Sequence, residues 1–267
     1  MLFMLQTTPD TENIPERKAE TPADEITGTA AAETAQPAAE QPEAPAAAED
    51  VIMPYTYAED EHYYVEALGT IKKKPFYSFV KRCFDFFASL FALLLLALPM
   101  LVIAVAVKCT SKGGVFYSQE RLGKNGKKIK VVKFRTMVAD AEKDGAQWSQ
   151  GDKDERITKV GSFLRKTRLD ELPQLFGCLT GSLSLIGPRP EREVFYKKFE
   201  EHVHGFSERL KVKPGLTGLA QVSGGYDLRP EEKVKLDVEY IKNRSLLLEI
   251  KILFRTVGVI FSHSGAK

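Results

Sequence analysis

The chain has 267 residues, enough for one or two domains, and its net charge of +2 hides an uneven distribution. Residues 1–70 carry 15 acidic and two basic side chains, whereas residues 71–267 carry 36 basic and 21 acidic ones. The three cysteines show neither metal-ligand spacing nor a disulfide pattern, which argues against a secreted disulfide scaffold. The basic body predicts an anionic partner: nucleic acid, a phosphorylated metabolite or an anionic lipid surface.

The N-terminal part is predicted to be a disordered arm. Residues 7–50 consist mainly of Ala, Glu, Pro and Thr, and large apolar side chains are almost absent. Such a segment cannot bury enough surface to offset its chain entropy. We therefore assign residues 1–70 to an acidic arm, disordered to about residue 50 and loosely extended beyond. The apolar start at Met1–Leu5 is too short for a signal peptide and lacks a basic beginning, so nothing indicates secretion.

An uncharged apolar run follows, from Phe86 to Val107. A helix of this length would measure roughly 33 Å, about one hydrocarbon thickness. Pro99 interrupts the run, and basic residues flank it on both sides, whereas a single span normally has one positive side. A kinked span and a helix that enters, bends and leaves on the same face both remain open from sequence. The domain assignment for residues 71–112 is a membrane-associated re-entrant helix.

Residues 113–267 are predicted to form a small, mainly helical domain of the α+β class. A β-hairpin is expected from Val115–Gln119 and Ile129–Phe134, joined by turn residues. Helices are expected over Ile157–Thr167, from Asp170 to Gly177 or Gly181, over Glu191–His204, from Pro230 to Ile241, and over Ser245–His263. The last helix fits either the membrane interface or the core.

The adjacent acids Asp170 and Glu171 are the strongest candidates for chemistry. Such a pair near a helix start is usually a cap and a first-turn acid. Here Arg165 and Arg168 precede the pair, and Arg189 follows it. Neighbouring cations and a helix start are expected to keep an aspartate ionised and available as a nucleophile. The second carboxylate is suited to binding Mg²⁺ together with substrate phosphates.

Other basic residues are candidates for binding an anionic substrate. Arg189 lies between two prolines, which fix its backbone, and its guanidinium matches phosphate; a tight loop with a solvated arginine is the alternative. Lys133 and Arg135 end the hairpin in a basic stretch that fits substrate or lipid headgroups equally well. Lys213 begins a glycine-rich segment reaching Gly224, whose backbone could approach a nucleotide closely.

Five ordered motifs together carry a resemblance to a known family. They are Lys81-Arg82-Cys83-Phe84-Asp85, Lys133-Phe134-Arg135-Thr136-Met137, Leu169-Asp170-Glu171-Leu172-Pro173-Gln174, Gly187-Pro188-Arg189-Pro190 and Lys213-Pro214-Gly215-Leu216-Thr217-Gly218. Over about residues 73–262 the chain resembles the bacterial sugar transferases, the monotopic polyprenyl-phosphate phosphoglycosyl transferases, also called undecaprenyl-phosphate sugar phosphotransferases.

The resemblance implies an activity and roles for the motif residues. The family's reaction is transfer of a sugar-1-phosphate from a UDP-sugar to polyprenyl phosphate, with release of UMP. It implies that Asp170 forms a covalent phosphosugar, that Glu171 holds Mg²⁺, and that Arg165 and Arg189 contact phosphate. Lys213 stands where many relatives carry arginine, which weakens a nucleotide contact there.

The resemblance also implies a location and partners. It places the catalytic domain on the cytoplasmic face of the bacterial inner membrane, at the first membrane step of exopolysaccharide, capsule or other glycan biosynthesis. The family's bent helix usually has a serine before its proline, whereas this chain has Leu98-Pro99, so a role for that serine is in doubt. The expected partners are a UDP-sugar, polyprenyl phosphate and membrane lipid. The sugar and a homo-oligomeric state stay open.

Two other functions compete with this one. The first is a non-catalytic membrane adaptor that binds anionic lipid through the basic surface. The second is a membrane-tethered nucleic-acid binder, which the charge suggests. Because the sequence lacks a helix-turn-helix, an aromatic stacking platform and a zinc motif, we expect no nucleic-acid partner.

Overall fold

The computed structural model describes residues 55–139, 141 and 154–262. The predicted disorder up to residue 50 lies outside these residues. The described elements are β1 (Tyr63–Tyr64), α1 (Pro75–Leu95), α2 (Ala97–Thr110), β2 (Phe116–Leu122), β3 (Lys128–Phe134), α3 (Lys159–Lys166), α4 (Leu175–Thr180), β4 (Ser184–Ile186), α5 (Glu193–His202), β5 (Val203–His204), β6 (Gly215–Thr217), α6 (Leu219–Ser223), α7 (Pro230–Asn243) and α8 (Leu246–Ser262). Short 3-10 helices cover Lys124–Gly126, Leu169–Gln174, Phe206–Lys211 and Gly225–Asp227.

The predicted apolar helix is two helices, α1 and α2, bent by 62°. Between them lies Leu96, whose N–H still bonds the Ala92 carbonyl at 2.9 Å. Pro99 lies in the first turn of α2 and has no N–H to donate to the carbonyl of Leu95, so the helical ladder is interrupted there. Among the described residues, no single helix has the length and composition of a membrane span, whereas this bent pair reaches them together.

Polar residues on α1 attach it to the rest of the chain. Arg82 donates to the carbonyl oxygens of Cys178 and Leu179 at 2.8 and 2.7 Å, at the C-terminal end of α4. Carbonyls at a helix end lack intrahelical donors, and a cation is favoured there. The buried Asp85 carboxylate accepts from the Ser184 hydroxyl at 2.7 Å and from the Leu185 N–H at 3.0 Å. The side of α1 that faces α4 and β4 is therefore polar.

A second buried carboxylate joins three helices. Glu249 on α8 accepts hydrogen bonds of 2.6 Å from the hydroxyls of Tyr77 on α1 and Tyr240 on α7. Lys81, also on α1, forms an ion pair with the same carboxylate. Buried acids are stable only when they are paired and hydrogen-bonded, and Glu249 meets both conditions.

The strands form three small two-stranded sheets. The predicted hairpin is confirmed: β2 and β3 are antiparallel, with Phe116 opposite Phe134. The parallel pairs are β4 with β6 and β1 with β5. The α+β class is therefore confirmed in its coarse form. The helix predicted from Glu191 is shorter than expected, because Val203 and His204 leave it to pair with β1.

Residues 55–70 differ from the predicted loose extension. Tyr57, Tyr63, Val65 and Leu68 pack against a buried cluster made by α5, α7 and the helix Phe206–Lys211. The hydroxyl of Tyr57 also donates to Glu231 at 2.8 Å. Packing of these four side chains therefore orders residues 55–70, although the polar composition of the preceding arm predicts disorder.

Helix α8 combines the two environments that its sequence left open. Ile252 and Glu249 are buried, whereas Leu247, Phe254 and Phe261 are each more than 70% exposed. One edge of α8 is therefore part of the core, and a wide apolar surface remains uncovered by the described residues.

Candidate active site

The two acids lie at a sharp change of direction in the chain. Helix α3 ends at Lys166, and Arg168 takes the left-handed backbone conformation with φ of 57°. This conformation is unusual for a residue with a side chain, and here it turns the chain into the 3-10 helix Leu169–Gln174. The turn places Asp170 inside the protein, with only 7% of its surface exposed.

Cations from two other parts of the chain meet the acids. Lys133, at the end of β3, lies 2.9 Å from Glu171 Oε1 and 3.9 Å from Asp170 Oδ2. Arg189, from the loop between β4 and α5, donates to Glu171 Oε1 at 2.6 Å. The hairpin, the 3-10 helix and the proline-flanked loop thus converge on one pair of carboxylates.

The pKa values of the two carboxylates are shifted in opposite directions. Burial raises the pKa of Asp170, and the adjacent Glu171 charge adds to this, while Lys133 opposes it. Burial would also raise the pKa of Glu171, but Arg189 and Lys133 outweigh it and hold that pKa well below its ordinary value. Glu171 is therefore ionised at neutral pH. Neighbouring cations and a helix start were expected to keep Asp170 ionised, but its pKa is raised because burial has a larger effect than the cations.

The loop that carries Arg189 is held by its backbone. The Arg189 carbonyl accepts from Arg209 Nη2 at 3.0 Å, and the Pro188 carbonyl accepts from the Gly215 N–H at 2.9 Å. Arg209 is itself buried and forms a 2.7 Å ion pair with Asp237 on α7. Burial raises the pKa of Asp237 to about 6, against the effect of Arg209. Arg189 is therefore not a solvated arginine on a free loop.

The glycines after Lys213 serve this loop. A Cβ atom on Gly215 would lie 2.1 Å from the Gly187 nitrogen, and one on Gly218 would lie 2.2 Å from the Gly187 carbonyl oxygen. Only glycine allows so close a backbone approach. These two glycines are therefore required for packing against Gly187, and the approach of this loop to a nucleotide stays a prediction.

The predicted site residues separate into two groups. In the first group Lys133 pairs with both Asp170 and Glu171, and Arg189 pairs with Glu171. Arg165 belongs with them: its Nε donates to the Thr136 hydroxyl at 2.9 Å, and its charge lowers the pKa of Asp170.

Arg135 and Lys213 have other neighbours. Arg135 donates to the carbonyls of Ser111 and Lys112 at 2.9 and 2.8 Å, so its guanidinium closes the loop after α2. The pKa of Lys213 is lowered by burial and by Arg82, which places this lysine beside α1. Sequence could not separate these two cations from Lys133 and Arg189, because all four occur in motifs of similar composition.

Some residues of the site were not predicted. Thr136 orients Arg165, and Arg209 supports the Arg189 carbonyl. Arg209 pairs with Asp237, which lies 28 positions further along the chain, and no local sequence pattern predicts such a contact. Arg168 was noticed only for its charge, whereas its backbone conformation is the feature that turns the chain.

The acids offer the oxygen donors that Mg²⁺ prefers, but few of them. Among residues 55–139 and 154–262 no group of three His, Cys, Asp or Glu side chains is arranged to hold a metal. Mg²⁺ usually binds one or two carboxylates together with water and substrate phosphates. Glu171 and Asp170 fit this mode, provided that the ion shares Glu171 with Arg189 and Lys133.

Comparison with known proteins shows which family carries this site. The model of the bacterial sugar transferase family matches residues 76–263, which include both acids and the Arg189 loop. The chain belongs to this family.

Its relatives are named for closely similar activities. A UDP-N-acetylgalactosamine-undecaprenyl-phosphate N-acetylgalactosaminephosphotransferase of Aeromonas hydrophila is 40% identical over 210 residues, 78% of this chain and 49% of the relative. A UDP-glucose:undecaprenyl-phosphate glucose-1-phosphate transferase of Escherichia coli K12 is 42% identical over 193 residues, 70% of this chain and 41% of the relative. The chain thus spans about half the length of these two relatives.

A shorter relative is covered more completely. A putative undecaprenyl-phosphate N-acetylgalactosaminyl 1-phosphate transferase of Bacillus subtilis is 47% identical over 140 residues, 52% of this chain and 77% of the relative. The relatives differ in the sugar that their names state.

Proposed function

We propose that this chain is an enzyme that transfers a sugar-1-phosphate from a UDP-sugar to undecaprenyl phosphate and releases UMP, through a phosphosugar attached to Asp170. The observation that carries the proposal is the buried pair of acids in contact with Lys133 and Arg189. The family membership and the names of the relatives support the reaction type.

In the first step an oxygen of the Asp170 carboxylate attacks the sugar-bearing phosphorus of the donor. A bond forms between that oxygen and phosphorus, and the bond from phosphorus to the oxygen of UMP breaks, so UMP leaves with its electron pair. Lys133, 3.9 Å from Asp170, and Arg189 are positioned to neutralise the phosphate oxygens. Fixed cations in a site with little water stabilise such developing charge strongly.

In the second step a phosphate oxygen of undecaprenyl phosphate attacks the same phosphorus. The bond to Asp170 breaks, the carboxylate is regenerated, and the lipid carries a sugar diphosphate. The raised pKa of Asp170 gives a more basic and hence more nucleophilic carboxylate once it is ionised. Glu171 stays ionised and is the better candidate to hold a cation.

We assign a bound Mg²⁺ to Glu171, with substrate phosphate oxygens completing its ligands. Such an ion would offset the charge of the diphosphate and of the departing UMP. Arg189 and Lys133 hold the Glu171 side chain in place.

The uncovered apolar surfaces support a membrane location. Phe79, Phe91 and Leu98 on the bent pair are each at least 67% exposed, and α8 adds a second apolar surface. We propose that the bent pair enters the bilayer as a re-entrant helix from the cytoplasmic face of the bacterial inner membrane, where a UDP-sugar and a lipid phosphate can meet. The enzyme would then initiate an exopolysaccharide or another surface glycan.

The test is UMP release by the intact chain in a membrane mimic with Mg²⁺. A panel of UDP-glucose, UDP-galactose and their N-acetylated forms, each with undecaprenyl phosphate, should give continuous UMP release with at least one donor. Without the lipid acceptor, a single burst of at most one UMP per enzyme is expected, because the phosphosugar stays on Asp170. No release with any member of the panel would refute the proposal.

The adaptor function remains the second candidate because the hairpin turn and the start of β3 present four exposed lysines, Lys124, Lys127, Lys128 and Lys130. An adaptor has no use for a buried carboxylate between cations. If binding to anionic vesicles were intact while UMP release was absent, the adaptor function would be favoured.

A further inference from the structure

The end of β2 holds the loop that carries Arg189. Arg121 Nη1 donates to the Pro190 carbonyl, and the Leu122 N–H donates to the Glu191 carbonyl at 3.0 Å. With the two bonds to this loop described above, four consecutive carbonyls each accept a hydrogen bond from another segment of the chain. The backbone on both sides of Arg189 is therefore fixed.

The Arg121 guanidinium is itself fixed by several contacts. Its Nη1 lies 3.2 Å from a Glu191 carboxylate oxygen, and its Nε and Nη2 donate to the Gln119 side-chain oxygen at 3.2 and 2.8 Å. Only 15% of its side chain is exposed. A planar guanidinium with donors in fixed directions is well suited to hold two partners at once. Arg121 therefore connects the hairpin, which carries Lys133, to the loop that carries Arg189.

Arg121 does not belong to the group of charges around the acids. Among the described residues its hydrogen-bond partners all lie in β2 and in the loop, and neither Asp170 nor Glu171 is one of them. An effect of Arg121 on the acids therefore passes through the loop or the hairpin.

Arg189 has to change its contacts during the proposed reaction. Its side chain donates to Glu171 at 2.6 Å, and the phosphate of the donor competes for the same N–H groups. The bonds to the loop backbone do not involve the acids, so they persist during this exchange. Pro188 and Pro190 each fix their own φ, and the hydrogen bonds to the carbonyls restrict the rotation that proline leaves free. The loop therefore keeps the Arg189 guanidinium in place while its partner changes.

We propose that Arg121 is a positioning residue, which keeps Arg189 directed at the phosphate of the donor by fixing the backbone that follows it. The proposal rests on the proposed function, because Arg189 is the residue through which Arg121 acts. A displacement of about 1 Å in a reacting site can lower a rate about 10²-fold. Because Arg209 and the two prolines still hold the loop, we expect about a 10-fold loss when Arg121 is removed.

Two other roles for Arg121 predict different results. An arginine that only stabilises the fold lowers the Tm and leaves kcat/KM of the folded enzyme unchanged. An arginine that contacts the substrate directly lowers kcat/KM by the same factor whether or not Arg189 is present, because independent contacts to a transition state add in free energy. A positioning residue loses its effect when the residue that it positions is removed.

The test is kcat/KM of UMP release by the intact chain, with Mg²⁺, undecaprenyl phosphate and a UDP-sugar that wild type accepts. Arg121→Met should lower kcat/KM about 10-fold in the wild-type background. In the Arg189→Met background it should change kcat/KM by less than about 2-fold, because no guanidinium is left to position. Losses that multiply in the double variant, or an unchanged kcat/KM for Arg121→Met alone, would overturn the inference.

Arg121→Lys is the second variant, for the case in which Arg121→Met does not fold. Lysine keeps the charge and can donate to the Pro190 carbonyl, but it lacks the planar fork. Its loss of kcat/KM should be smaller than that of Arg121→Met and should also disappear in the Arg189→Met background. A loss that persists there would count against the positioning role.

Arg229→Met is the matched control. Arg229 forms ion pairs with Glu61 and Glu231, which lie outside the loop. Its removal should lower the Tm and leave kcat/KM within about 2-fold of either background. If it lowered kcat/KM as much as Arg121→Met, the loss would reflect a weakened fold and the inference would be overturned. Absence of UMP release by wild type would instead refute the proposed function, and the inference with it.

Discussion

The contact between Arg189 and Glu171 predicts a coupled loss of stability and activity. Arg189→Met removes a 2.6 Å hydrogen bond between charged groups, with the side chains of Arg189 and Glu171 only 17% and 12% exposed. A hydrogen bond to a charged group contributes about 1.5–3 kcal/mol. Because Lys133 stays 2.9 Å from Glu171, we expect a loss near the lower end, about 1.5–2 kcal/mol.

For a folded region of this size that loss corresponds to a Tm lower by about 3–8 °C. The rate of UMP release should fall by about 10²–10³, the usual effect of removing one electrostatic contact to a reacting group. Thermal unfolding in the membrane mimic and the UMP assay measure the two effects separately. Lys128→Met is the control, because its ion pair with Glu120 is more than half exposed and should leave the Tm unchanged.

A double variant decides whether the contact itself is responsible. With Glu171→Gln added to Arg189→Met, no buried carboxylate is left with a single cation, so the loss of stability should be smaller than the sum of the two single losses. Strictly additive losses, within about 0.5 kcal/mol, would show that the two side chains are not energetically coupled and would refute the reasoning.

Three further predictions concern the nucleophile and the membrane helix. Asp170→Asn should abolish UMP release and the phosphosugar adduct seen by intact-protein mass spectrometry while leaving the Tm within a few degrees of wild type; full activity would remove Asp170 from its role. Burial raises the pKa of Asp170 and only its carboxylate form attacks, so kcat/KM should fall with decreasing pH at a midpoint above the pKa of a free aspartate. Lys133→Met should move this midpoint higher still, because Lys133 lowers the pKa of Asp170. A midpoint that Lys133→Met leaves unchanged would exclude this assignment. Single cysteines at Lys72 and Lys112, in a chain without native cysteines, should react with an impermeant reagent from the same membrane face, and labelling from opposite faces would establish a span.

Local chemistry accounts for the parts of the fold that sequence could predict. The break before Pro99, the hairpin between Val115 and Phe134 and the helix that begins at Pro230 each depend on residues within a few positions of each other. Proline geometry, turn residues and apolar periodicity act at this range. Asp170, Glu171 and Arg189 were identified as candidates because each lies in a short motif, but the ion pair between Arg189 and Glu171 was not predicted.

Contacts between distant segments account for the rest. Arg135 and Lys133 are two residues apart in one motif, yet Arg135 closes the loop after α2 while Lys133 faces Glu171. In a continuous strand, side chains two residues apart point to the same face of the sheet. Lys133 and Arg135 differ because β3 ends at Phe134, between them. Residues 55–70 were assigned to the arm by composition, but the cluster that they cover is built by α5 and α7, more than 120 residues later.

The contacts that hold α1 against α4 and β4 fix how far the proposed membrane helix extends from Asp170. Arg82 is hydrogen-bonded to the end of α4, and Asp85 is hydrogen-bonded to the start of β4. Helix α4 continues directly from the 3-10 helix that contains Asp170. In the proposed membrane orientation, the distance from the proposed nucleophile Asp170 to the bend is thus set by the helix turns between Asp85 and Leu96. Lengthening α1 by one turn after Asp85 would therefore move the bend about 5 Å farther from Asp170.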